Sequence, residues 1–316
     1  DNPMKPVSAR PDFSSPRIKG LTRFAVAITS LNVIGHLYLG FEQSWITPFV
    51  ALATAYATEL VLETLSARSA GRAPRYSGSW PNLVVFLLPA HITGLAIAML
   101  LMAHEQLLVI AFATSLAISS KHLFVVRIGR ADRHFLNPSN IGITAALVLF
   151  PTVGIAPPYQ FTEATSGFVD WLLPAFVICT GSLLNLKLTG RMPLIGFWLG
   201  AFAVQAVVRA TIHGDPLITT LMPMTGFAFI LFTFYMITDP ATSPRGLWSQ
   251  AAFGCAVAAL YAVFMELHLV FGLFYALTCV TIARGLWFAL LSLHARSTQR
   301  SQVRQLEPSG GSSQAV

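Results

Sequence analysis

PMTGFAFILFTFYMITDPATSP, residues 223–244, begins as an unbroken apolar run that is long enough to cross most of a bilayer. It then ends, without a soluble spacer, in the polar turn TDPATSP, which contains Asp239, Thr242 and Ser243. An acid beside a proline at the end of a membrane helix is costly unless the carboxylate and the freed backbone groups have partners inside the protein. This turn is therefore a candidate site.

A second polar interruption lies upstream and has the same character. Lys121 and His122 end one apolar segment, and FLNPSN (residues 135–140) opens the next with Asn137 and Asn140 on either side of a proline and a serine. The lysine and histidine could hold an anionic head group or phosphate. The two asparagines and Asp239 could instead merely cap and end helices, and their spacing leaves both interpretations open.

The composition predicts a membrane protein. Of 316 residues, 54% are hydrophobic and only 10% are charged, whereas a soluble domain carries roughly 25% charged residues. The net charge is +7, but the basic residues lie between apolar runs and form no single amphipathic element. We therefore expect the lipid bilayer, and no nucleic acid, as the partner of this surface.

The apolar runs predict an all-α, polytopic integral membrane protein of about ten spans, with broken helices near FLNPSN and TDPATSP. Lysine and arginine concentrate in alternate loops, which predicts that those loops and both termini are cytoplasmic. Both polar interruptions fall on this side, so a shared pocket is geometrically possible. We expect a cytoplasmic segment over 1–20, a transmembrane domain over 21–291 and a disordered tail over 292–316. The predicted spans are residues 21–41, 46–66, 83–103, 106–119, 139–156, 170–187, 193–212, 217–238, 250–267 and 269–290.

Two carboxylates, Glu59 and Glu63, lie one helical turn apart in the second predicted span and therefore share a face. An ionisable group at that depth is a functional candidate by default, here for protons or cations. The alternative is that the pair bonds to Asn32 or to a nearby basic group. The chain has no nucleophile elbow, phosphate-cradling glycine loop, HExxH or CxxC, so hydrolytic chemistry is not indicated.

Several motifs, taken in order, resemble the NqrB/RnfD family, the membrane subunits of sodium-pumping NADH:quinone oxidoreductase and of the Rnf electron-transport complex. The resemblance covers about residues 119–248. It implies the ten-span fold and electron transfer linked to a flavin or quinone, and it makes the protein a possible oxidoreductase subunit. The motifs are SSKHLF (119–124), HFLNPSNIGI (134–143), GSLL (181–184), TDPATSP (238–244) with the apolar run before it, and GLW (246–248).

The chain departs from the family where flavin attaches covalently. Family members with covalent flavin mononucleotide (FMN) carry D-x-x-[ST]-G-A-T, and the corresponding stretch here is YQFTEAT, residues 159–165. Thr165 is in place, but the aspartate is Tyr159 and the glycine is Glu163. The resemblance therefore implies non-covalent FMN or riboflavin in preference to a covalent link at Thr165.

The chain most resembles a divergent branch of this family, the UnbU-type membrane proteins of enediyne biosynthesis clusters. That resemblance implies a bacterial plasma-membrane protein that supports natural-product assembly together with redox or biosynthetic partner proteins. Two alternatives stay open. One is a transporter or permease for a small molecule or ion, with Glu59 as its proton or cation partner. The other is a cofactor-free membrane anchor for partner subunits.

Overall fold

Long apolar runs form most of the described helices, two of them with an interior proline, Pro89 and Pro174, because a backbone that is not surrounded by water must satisfy its hydrogen bonds within the segment. The structure is a computed structural model that describes residues 11–128 and 131–306, with side chains over 11–127 and 132–294. Proline stands in the first turn of several helices, where its missing N–H costs nothing. The helices of the described chain are α1 Pro16–Ile34, α2 Thr47–Ser69, α3 Trp80–Leu100, α4 Leu107–Leu123, α5 Pro138–Leu149, α6 Val169–Leu184, α7 Met192–His213, α8 Leu217–Leu221, α9 Phe227–Leu231, α10 Leu247–Glu266 and α11 Gly272–Leu306.

Three helices continue into a π-helical turn: Gly35–Leu39 after α1, Asn185–Thr189 after α6 and Phe232–Met236 after α9. Such turns are uncommon and occur frequently at functional sites. The predicted span over 217–238 is not one straight helix. Residues Leu217–Thr225 and Phe227–Met236 are bent by 65° relative to each other at Gly226, whose extended backbone interrupts the helical conformation.

Two short antiparallel ribbons accompany the helices, so the all-α prediction is correct for the helical body and incomplete for its loops. Strands β1 Leu101–Met102 and β4 Gly154–Ile155 pair at one end of the bundle. Strands β2 Val125–Ile128 and β3 Ala131–His134 form a hairpin between α4 and α5. This hairpin carries arginines that the sequence assigns to a cytoplasmic loop.

Within the described residues, six helices are long and apolar enough to cross a membrane, and the bent pair makes a seventh if it counts as one span. Helices α4 and α5 are apolar but shorter. Each of the ten predicted segments coincides with one of these helical stretches or with α1, while the count of ten crossings stays a prediction. Helix α11 continues to Leu306, so the tail expected from residue 292 is helical in its first part. The tail after residue 306 and residues 1–10 lie outside the described chain.

The core packs aromatic rings around Trp198 of α7, which is fully buried. Its indole N–H donates to Thr233 Oγ1 at 2.9 Å, and its ring lies 5.4 Å from Phe232. This packing holds the π-helical turn Phe232–Met236 against α7. The same turn leads directly into TDPATSP, so the core fixes the position of the candidate site.

Candidate functional site at the two polar helix breaks

The two polar interruptions of the sequence lie against each other in the structure. Asn137 caps α5, because its Oδ1 accepts from Asn140 N at 2.9 Å. The Nδ2 of Asn137 donates to Met236 O, at the end of the π-helical turn, at 3.0 Å. Both side chains of the asparagine pair are at least nine-tenths buried. One hydrogen bond therefore joins FLNPSN to the backbone immediately before TDPATSP.

Asn140 extends this contact to the last helix. Its Nδ2 donates to Phe274 O at 3.0 Å and to Thr278 Oγ1 at 2.7 Å. Thr144, one turn further along α5, shares a hydrogen bond with the same Thr278 hydroxyl. The Oδ1 of Asn140 is buried and accepts no hydrogen bond from the described residues. A buried acceptor without a donor is costly, so this oxygen suits a ligand that carries an N–H or O–H.

The TDPATSP turn is held by its own acid. The carboxylate of Asp239 accepts from Ala241 N at 3.2 Å and from Thr242 Oγ1 at 2.9 Å. The carbonyl of Asp239 accepts from Ser243 N and Oγ. These contacts match the second interpretation of the sequence, in which Asp239 only caps and ends a helix. They leave the Thr242 and Ser243 carbonyls directed at neighbouring elements.

Two arginines from different elements bind those carbonyls. Arg191, between α6 and α7, donates through Nε to Ser243 Oγ at 2.7 Å and through Nη2 to Ser243 O at 3.3 Å. Arg284, on α11, donates to Thr242 O. Burial lowers the pKa of Arg191 from its ordinary value, and neighbouring Arg245 lowers it further. The turn is thus held by one buried and one half-buried positive charge.

Several ionisable candidates surround this corner. Glu59 on α2 forms a 2.5 Å ion pair with Lys121 at the end of α4, and both side chains are largely buried. His134, at the end of β3, lies within electrostatic range of Glu59, Lys121, His122 and Asp239. Burial lowers the pKa of His134, which favours its neutral form. His134 is therefore within electrostatic range both of the Glu59–Lys121 pair and of Asp239 in the TDPATSP turn.

Glu63 acts electrostatically on His122 as well, but its hydrogen bonds are to a different loop. Its carboxylate is fully buried and accepts from the guanidinium groups of Arg72 and Arg75 and from the backbone N–H of Arg75. The hydrogen bond to Glu63 raises the pKa of Arg72. Both glutamates of α2 therefore have basic partners, as the second of the two interpretations proposes. Glu63 anchors the loop between α2 and α3.

Thr165 lies at the opposite end of the bundle. Phe161, in the same loop, stacks on Phe227 at the start of α9, whereas TDPATSP follows the far end of that helix. The ten residues from Phe227 to Met236 span about 15 Å at the rise of a helix. The Thr165 hydroxyl donates to Thr162 O and to Asp170 Oδ1. A phosphate ester at this oxygen would lie beside the Asp170 carboxylate, so covalent FMN does not fit here.

Sequence reasoning missed three of the residues at this corner: His134, Arg191 and Arg284. His134 lies in the motif HFLNPSNIGI, in which the asparagines and not the histidine are predicted as site residues. Arg191 lies in a short basic loop between two predicted spans and Arg284 lies within the predicted span 269–290, so neither belongs to a motif. The signal that could have marked Arg284 is its place in an apolar helix, where a buried guanidinium needs polar partners.

The length and the apolar composition of the helices indicate a polytopic membrane protein. No protein-family model and no curated protein matches this sequence.

Proposed function

We propose that this chain is a membrane electron-transfer component of NqrB/RnfD-like fold that binds a flavin or quinone without a covalent link. The observation that supports it is the hydrogen bond from Asn137 to Met236 O, which places two polar helix breaks side by side in the buried interior. Irregular backbone in a membrane protein is tolerated where it lines a cavity or is buried in protein. In the proposed orientation this corner lies at the cytoplasmic end.

The residues present fit a non-covalent cofactor at this corner. A flavin ring carries both an N–H donor and carbonyl acceptors, and a quinol carries O–H donors. The buried Asn140 Oδ1 accepts no hydrogen bond from the described chain and suits such a donor. Asn137 adjoins it through the hydrogen bond from Asn140 N, and Asp239, Thr242 and Ser243 follow shortly after Met236, whose carbonyl Asn137 binds. When bound, a flavin or quinone supplies a carrier that takes up electrons together with protons.

The ionisable set beside the breaks would move those protons. Burial lowers the pKa of His134 and so favours the neutral ring, one nitrogen of which can accept a proton and pass it on. The Lys121–Glu59 pair lies next to it and balances one positive with one negative charge. We propose that electrons come from a reduced partner protein on the cytoplasmic side and serve bacterial natural-product assembly of the enediyne type in the plasma membrane.

Cofactor content in paired variants tests this proposal. We expect detergent-purified protein to release flavin or quinone on extraction, and Asn140→Ala to reduce the amount bound about tenfold, since it deletes the acceptor. Glu266→Gln, in the exposed pair with Arg209, should keep the full amount. Equal cofactor content in both variants at equal melting temperature would remove Asn140 from the site.

One observation favours a second function, a permease coupled to protons or cations. A buried ion pair such as Glu59–Lys121 inside membrane helices often marks an ion pathway. In reconstituted vesicles, flux that is lost in Glu59→Gln would support this function. Unchanged flux in that variant would exclude Glu59 as the coupling residue.

A further inference from the structure

Buried positive charge exceeds negative charge at the TDPATSP turn. Arg191 is only 3% exposed, yet its three hydrogen bonds end on a hydroxyl and on two backbone carbonyls, of Ser243 and Thr189. Arg284 donates to a third carbonyl and packs its guanidinium 5.0 Å from the Phe288 ring centre. None of these acceptors carries a charge.

The neighbourhood adds further guanidinium groups. Arg245 lies within electrostatic range of Arg191, and Arg133 of the β2–β3 hairpin lies within range of Arg284. Asp239 is the acid that acts on Arg191, and both of its oxygens already accept hydrogen bonds from its own turn. Among the described residues, no carboxylate lies within 4.0 Å of Arg191 or Arg284.

A purely structural role does not account for this arrangement. Holding a turn by its carbonyls requires only neutral donors such as amides, which are cheaper to bury than charges. An uncompensated buried charge costs several kcal/mol even after relaxation. The excess of basic residues on the cytoplasmic side explains why arginines are near the surface, but it does not explain why Arg191 is almost completely buried.

We propose that a phosphate group binds at this corner, where Arg191 and Arg284 donate to Ser243 and Thr242 and the exposed Arg245 follows two residues later in the chain. The planar guanidinium matches the oxygens of a phosphate in a two-point contact. Phosphate is also the anion that the cytoplasmic leaflet presents at this depth. The group belongs either to an anionic phospholipid or to a water-soluble phosphate such as that of FMN. This proposal does not depend on electron transfer, because a lipid phosphate would satisfy it alone.

Binding to delipidated full-length protein tests the proposal. The probes are dioleoyl phosphatidylglycerol against dioleoylglycerol, which lacks the phosphate, FMN against riboflavin, and inorganic phosphate. Native mass spectrometry counts bound lipid, and calorimetric titration measures the soluble probes. We expect at least one anionic phosphate probe to bind about tenfold more tightly than its neutral counterpart, as charge-assisted hydrogen bonds allow. Preference for phosphatidylglycerol assigns a lipid, and preference for FMN over riboflavin assigns a soluble phosphate.

Three variants make the result specific to this corner. Arg245→Gln and Arg284→Gln should each weaken the preferred probe about tenfold. Arg209→Gln, at the distant pair with Glu266, should bind like the unmodified chain. Arg245 is exposed, so its variant folds even if loss of Arg284 destabilises the protein. The proposal is overturned if no anionic probe exceeds its neutral counterpart, or if Arg245→Gln binds with unchanged affinity.

Discussion

Replacing Glu63 by glutamine tests whether this buried acid is an anchor for a loop. The carboxylate accepts five hydrogen bonds, two from Arg72 and three from Arg75. Glutamine keeps one oxygen and turns the other position into a donor, which then faces at least two N–H groups. It also removes the charge that both guanidinium groups neutralise.

The structure sets the expected size of this effect. Breaking a buried ion pair costs about 3–5 kcal/mol. The side chains of Arg72 and Arg75 are 33% and 62% exposed and can turn to water, so we expect the lower end, about 3 kcal/mol. For a chain of this length, each kcal/mol of lost stability lowers the melting temperature by about 2 °C, so the melting temperature should fall by about 6 °C.

Thermal unfolding in detergent, followed by the near-ultraviolet circular dichroism of the many aromatic residues, measures this shift. Glu266→Gln is the matched control, because its carboxylate also pairs with two basic groups but is 42% exposed. Exposed pairs contribute about 1 kcal/mol or less, so the control should shift by no more than about 2 °C. If the two variants unfold at the same temperature, the assignment of Glu63 as an anchor is wrong.

Two further predictions concern the candidate site and the core. Burial holds the pKa of His134 below its ordinary 6.5, so the unfolded chain binds the proton first and stability should fall as the pH drops below that value. In His134→Gln that loss should be smaller, as melting curves across the pH range will record; an identical loss would refute it. A Cβ added at Gly142 would lie 2.4 Å from Ala113 O, whereas a Cβ added at Gly196 would meet no atom of another element within 4 Å. Gly142→Ala should therefore destabilise by about 1–3 kcal/mol and Gly196→Ala should not, and equal denaturation midpoints would contradict this.

The helices could be predicted because the length of each apolar run is enough to indicate one. Each predicted segment has a helix in the structure, since a run of about twenty apolar residues has few other ways to satisfy its backbone in a bilayer. The 65° bend at Gly226 could not be read in the same way. It lies inside an apolar run, and only the sequence PMTG marks it.

The sequence predicts which residues belong to the candidate site, but it does not predict which of them contact one another. Proline and asparagine mark the FLNPSN break, and the acid marks TDPATSP, because these residues interrupt helices wherever they occur. Their contact depends on the π-helical turn that carries Met236 O to Asn137. The sequence does not identify Lys121 as the partner of Glu59 either, because the two residues are distant in sequence. Only the packing of α2 against α4 brings them together.

We propose that the two polar breaks together hold a redox cofactor without a covalent bond. The most direct test is the absorbance spectrum of the detergent-purified protein, with extraction of flavin and quinone and with mass spectrometry of the peptide that contains Thr165. We predict a bound flavin or quinone that organic solvent releases, and an unmodified Thr165 peptide. A colourless protein that yields neither compound, or a flavin adduct on Thr165, would contradict the account.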